Sequence, residues 1–159
     1  MSITTTGTAI TAEKLEERTS LVRRLRDSLQ KQRDNLQKYV ELLEKEEELI
    51  RSGNLEQLDY QVRFEQSIMS DIRSLQQVIG PLEELYSKTV SDADARIKTL
   101  QSSLERMKKR VLEKNEKNRI LLMEKMDLLR QEIKSLRRSF HYSSPRTGIT
   151  VPSVVDVST

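Results

Sequence analysis

Large apolar residues recur along most of this chain at intervals of three, four and seven, the signature of helices that each bury one face. From about Ala12 to Arg51 the recurring positions are Leu15, Val22, Leu25, Leu29, Leu36, Tyr39/Val40, Leu43 and Ile50. A polar gap at Gln32-Arg33 weakens this first stripe. Ser52-Gly53-Asn54 then supplies a stop and a restart. Gly53 can take the left-handed conformation that closes a helix, and Asn54, with Gln57 three residues on, can cap the next. A second stripe, Leu55, Leu58, Val62, Ile68/Met69, Ile72, Leu75 and Ile79, predicts a helix over 54–79. Gly80-Pro81 predicts a break and a short helix over 81–88, because proline lacks the N–H that a helix interior uses and suits a first turn. Ser91, with Asp94 three residues later, reads as the cap of a third helix over 91–140.

The third stripe is interrupted. It runs Ile97, Leu100, Leu104, Met107, Val111, then two amides, Asn115 and Asn118, then Leu122, Met126, Leu129, Ile133, Leu136 and Phe140. Burying an amide without a partner costs about 1–3 kcal/mol, so these asparagines are expected to mark where packing within the chain ends. Helix lengths point to the same place. Helix two has 25 residues if it stops at 79, or 34 if 81–88 extends it. A third helix packed back along it draws level with Gly53 near residue 116 or 125. The remainder would project by on the order of 25–35 Å. The expected architecture is all-α: an elongated antiparallel three-helix bundle with coiled-coil packing and a projecting C-terminal helix. Residues 1–11 are expected to be a disordered arm, 12–142 the helical bundle (12–51, 54–79, 81–88, 91–140), and 143–159 a disordered tail rich in Ser, Thr, Pro and Gly.

Composition agrees with long helices and narrow seams. The 159 residues include no Trp, two Phe, four Gly and three Pro, with 33 % charged residues. That leaves too few large apolar groups for a thick globular core. There is no Cys, which excludes disulfides and thiolate metal sites. The N-terminus, MSITTTGTAITAEKLEE, has neither a basic start nor an apolar core, so it does not read as a signal peptide. The longest aliphatic run, Ile120 to Met123, is four residues, far short of a membrane span. The expectation is a cytoplasmic protein with no membrane insertion.

Candidate chemistry is sparse. His141 is the single histidine, with no second imidazole or thiol to work with it, and no glycine-rich phosphate loop is present. No enzyme activity and no cofactor are expected. Glu41, Glu44, Glu46, Glu47 and Glu48 cluster in sequence, but on a helix they fan around the cylinder into water, where nothing is expected to raise a pKa. Arg106, Lys108, Lys109, Arg110, Lys114, Lys117 and Arg119 form a basic run, read first as a solvated face and otherwise as a surface for an acidic protein or nucleic acid. It lacks interleaved aromatics and contains Glu113 and Glu116, which argues against nucleic acid. The stripe Leu121, Leu122, Met126, Leu129, Ile133, Leu136 and Phe140 admits three occupants: another part of this chain, a second copy in a homodimer, or the helix of another protein.

The spacing Asn115-x-x-Asn118-x-x-Leu121-Leu122, in a long C-terminal helix followed by Tyr142 and a polar tail, resembles the FlgN-type flagellar export chaperones. The upstream stretch Leu42-Leu43-x-x-Glu46-x-x-Leu49-Ile50-x-x-Gly53-Asn54-x-x-x-Leu58 is similar to the family's first helix, turn and second helix. The likeness covers roughly 36–86 and 107–148. It implies an ATP-independent cytoplasmic chaperone that binds C-terminal helices of hook-associated (hook-filament junction) proteins, prevents their premature assembly and delivers them to the flagellar type III export apparatus. Export-gate or export-ATPase components would be further partners. The family pattern puts cargo on the C-terminal amphipathic helix, here Asn115, Asn118, Leu121, Leu122, Met126, Leu129, Ile133, Leu136 and Phe140. The rival readings are a structural coiled-coil homodimer and a nucleic-acid binder using the basic run.

Overall fold

The computed structural model describes residues 11–142, with side chains to 140. The arm expected over 1–11, apart from Thr11, and the tail expected over 143–159 lie outside the described residues. Three helices make up the described chain: α1 (Ala12–Ser52), α2 (Leu55–Thr89) and α3 (Ala95–Tyr142). The backbone divides into two units, 1–122 and 123–159, which are described separately.

Unit 1 holds the core. On α1 the buried positions Leu25, Leu29, Gln32, Leu36, Tyr39 and Leu43 follow one another at alternating steps of four and three, the spacing that keeps one seam facing its neighbours. On α3 the buried positions Ile97, Leu104, Val111 and Asn118 are each seven apart. Ile68, Ile79 and Leu82 of α2 join the same cluster. Each such side chain gains about 1.5–3 kcal/mol on leaving water.

Contacts between helices give their directions. Tyr39 meets Glu65, and Gln32 meets Ile72, so α2 descends as α1 ascends. Gln101 meets Glu83, which places the start of α3 against the end of α2. Asn115 meets Tyr39 and Asn118 meets Leu43, so α1 and α3 run parallel. The expected antiparallel three-helix bundle is present in unit 1.

The first turn follows its sequence signals. Gly53 has φ 73°, in the left-handed region. Its N–H reaches the Ile50 carbonyl, and the Asn54 N–H reaches the Leu49 carbonyl, which is the Schellman closure. Asn54 Oδ1 accepts from the Gln57 N–H at 3.2 Å.

Two boundaries differ from expectation. α2 does not break at Gly80-Pro81 but runs on to Thr89. The proline forfeits one backbone hydrogen bond, while Ile79 and Leu82, flanking the dipeptide, are both buried. Core packing on either side therefore outweighs the local breaker. At the start of α3, Asp94 replaces Ser91 as the cap: its Oδ1 accepts from the N–H groups of Arg96 at 2.8 Å and Ile97 at 3.4 Å. The Asp94 N–H in turn donates to the Tyr86 hydroxyl, which ties the connection to the end of α2.

Candidate partner-binding site

The two asparagines of the third stripe face α1. Asn118 is 3 % exposed. Its Nδ2 donates to the Leu43 carbonyl at 2.8 Å and to Glu46 Oε2 at 3.1 Å, while its Oδ1 is buried without a hydrogen-bond partner among the described residues. Asn115 is more open, and its Nδ2 lies 3.3 Å from the Tyr39 hydroxyl. That hydroxyl donates to Glu65 Oε1 at 2.6 Å. A polar layer of Tyr39, Glu46, Glu65, Asn115 and Asn118 thus links all three helices. It lies at the level of Leu43, ten residues before Gly53, so the asparagines sit inside the bundle and not level with the turn, where the helix lengths put them. Asn118 is the last buried position of α3 among the described residues, and its Nδ2 is bound to α1.

The layer also corrects the reading of the glutamates. Glu46 falls three residues after Leu43 and four before Ile50, in the α1 seam. Burial pushes its carboxyl above the usual carboxylate range, with nearby Glu65 adding to the rise and the Asn118 bond opposing it. Burial, with the bond to Glu65, also raises the Tyr39 phenol well above its ordinary value. Glu44 is partly exposed, Glu47 is more covered, and both are ion-paired. Lys114 and Arg110 hold the Glu44 carboxyl below the usual range, at 3.1 and 3.0 Å. Lys117 and Arg51 do the same for Glu47.

Those pairs account for much of the basic run. Arg110, Lys114 and Lys117 bind acidic groups on α1. Lys108 pairs with Glu105 and Arg119 with Glu116 along α3 itself. The carboxylates interleaved with these cations lower the net positive charge that the face presents, which weakens the support for a nucleic-acid surface.

The rest of the predicted stripe divides between the units. Leu121 and Leu122, at the end of unit 1, are partly buried. In unit 2, Met126, Leu129, Ile133, Leu136 and Phe140 are all exposed, from 44 % for Met126 to 75 % for Phe140. They recur at steps of three, four, three and four, so they share one face. No described residue beyond Asn118 is buried. Gln32 is a second polar group that the periodicity left outside the core: it is 1 % exposed, and its Nε2 donates to the Ile72 carbonyl. Its spacing from Leu29 and Leu36 was the available signal.

Among the described residues, no group of His, Cys, Asp and Glu is arranged to hold a metal ion, and no helix is long and apolar enough to cross a membrane.

The comparison with protein families matches residues 21–144 to the family described as FlgN protein. A protein of Treponema pallidum (strain Nichols), described as uncharacterized, is 27 % identical over 152 residues, which cover 96 % of this chain and 98 % of that one. No solved structure matches. With the family match spanning all three helices and both Asn115-x-x-Asn118 and Leu121-Leu122, the chain belongs to the FlgN family of flagellar export chaperones, which are not enzymes.

Proposed function

We propose that this chain is a cytoplasmic chaperone for hook-filament junction proteins. Its cargo site is the apolar face of unit 2, formed by Met126, Leu129, Ile133, Leu136 and Phe140. The observation that carries this reading is the exposure of that face, since every one of these side chains is accessible while keeping helical register. Each forgoes about 1.5–3 kcal/mol while it stays in water. An amphipathic cargo helix laid along the face recovers that energy and buries the surface through which the cargo would polymerise. Release follows when an export-gate or export-ATPase component makes tighter contacts with the chaperone or cargo. Asn115 and Asn118 take a structural part in this scheme, holding α3 to α1.

The test is binding of a purified hook-filament junction protein from the same organism. Leu129→Asp with Ile133→Asp should weaken it by about two orders of magnitude. Both residues are about half exposed, so helicity and thermal midpoint should stay as in the parent. Unchanged affinity would sink the assignment of the site.

A further inference from the structure

Unit 2 distributes its charges unevenly around the helix. At about 100° per residue Met126, Leu129, Ile133, Leu136 and Phe140 fill an arc of roughly 80°, with exposed Met123 and Leu128 outside it. Arg130, Lys134 and Arg137 follow one border of that arc at steps of four and three. Lys125, Glu132 and Ser139 follow the other. Asp127 and Arg138 lie just beyond Lys134 on the basic side, and Glu124 lies behind. Arg130 makes an exposed pair with Asp127 at 3.2 Å, a type of contact worth little in water. Among the described residues no carboxylate pairs with Lys134 or Arg137.

A second copy of the chain matches this border poorly. Run antiparallel, it sets Arg130 and Arg137 against their own counterparts. Run parallel, it sets Lys125 against Arg130, and only Glu132 against Arg137 is favourable. Like charges along a seam oppose pairing. We infer that the occupant of this face is an amphipathic helix whose apolar seam is bordered by carboxylates at steps of three and four, facing Arg130, Lys134 and Arg137. The inference rests on the proposed cargo site and adds to it the chemistry by which cargo is chosen. The apolar arc supplies affinity. The basic border sets which helices are accepted and which side of the cargo faces it.

Two synthetic helical peptides with the same leucine heptad seam, one bordered by Glu and the other by Lys, test this against the full-length chain by fluorescence anisotropy. At low ionic strength the Glu-bordered peptide should bind about tenfold more tightly. The preference should shrink toward nothing at about 1 M salt, where screening acts within ~3 Å. Arg130→Glu with Arg137→Glu should reverse it. Equal affinities, or a preference that survives the charge reversal, would overturn the inference. Leu129→Asp separates the two levels of the argument. If it abolishes binding of both peptides while they bind the parent equally, the site stands and the border has no role. If it leaves binding intact, the site itself is wrong. A dimer of the free chain in sedimentation, dissociated by Leu129→Asp, would assign the face to a second copy and equally overturn the inference.

Discussion

At the residue scale the most informative side chain is Glu46. It occupies a seam position, yet it is a carboxylate whose charged form is penalised by burial and by Glu65. A carboxyl raised in the fold contributes most when protonated: its contribution is fully present below the unfolded value near 4.5 and is lost as pH rises through the higher folded value. Glu46→Gln keeps an oxygen to accept from Asn118 and removes the charge. It should therefore stabilise the protein at neutral pH, by on the order of 0.5 kcal/mol given that the group is half-exposed and screened by solvent. The gain should fade as pH falls through the carboxylate range. Urea titrations of parent and variant at pH 7 and pH 4 measure this, and a constant difference at the two pH values would show that ionisation is not the cause. Glu44 and Glu47 act in the opposite sense. Their lowered values describe ion pairs that help above about pH 4.5 and are lost as pH falls.

At the element scale, two glycines of different kinds predict opposite responses to one substitution. Gly53 closes α1 at φ 73°, where a side chain is strained by about 1–2 kcal/mol. Gly80 lies inside α2, and a Cβ placed there meets nothing within 4 Å. Gly80→Ala should stabilise by about 0.5–1 kcal/mol through the helix preference for alanine, and Gly53→Ala should destabilise by about 1 kcal/mol. Thermal midpoints of the two variants, read against the parent, check both signs. The same helix shows why Pro81 misleads. Turn and breaker signals weigh a few residues at a time, whereas α2 is held by Ile68, Ile79 and Leu82 against the other helices. Asp94 replaces Ser91 as a cap for a related reason: both offer an oxygen, but only Asp94 is fixed by its N–H bond to the Tyr86 hydroxyl.

At the scale of the whole molecule, the proposed cargo site lies along α3 beyond the part that holds the core. Every buried described residue lies at or before Asn118, and the exposed apolar face lies in unit 2. A chain ending after Leu122 should keep its core, with stability within about 1 kcal/mol of the parent, because what it loses was exposed. It should no longer bind hook-filament junction proteins. Circular dichroism and calorimetry with a purified cargo protein would examine both halves, and a truncated chain that unfolds at room temperature would show that residues after 122 contribute to the core. Placing the asparagine layer inside the bundle sharpens this division. The amides hold α3 against α1 through Leu43, Glu46 and Tyr39, which leaves the proposed cargo contact to the apolar residues beyond them.

Periodicity alone determined that this chain makes three long helices, that the first turn closes at Gly53, and that the last helix carries an apolar face beyond its asparagines. Those features depend on neighbours within a turn or two, and local spacing records them directly. Gln32 and Glu46 also sit at seam spacing, but their polarity reads as a gap in the stripe and as a solvated residue. Only the tertiary structure decided that Gln32 is buried and Glu46 half-buried, that Glu65 meets Tyr39, that Arg110, Lys114 and Lys117 pair with Glu44 and Glu47, and that α2 continues through Pro81. Each of these depends on the register between helices, which brings together groups 18 to 76 positions apart in sequence. That register is chosen by the packing of whole faces and is written in no single segment of the chain.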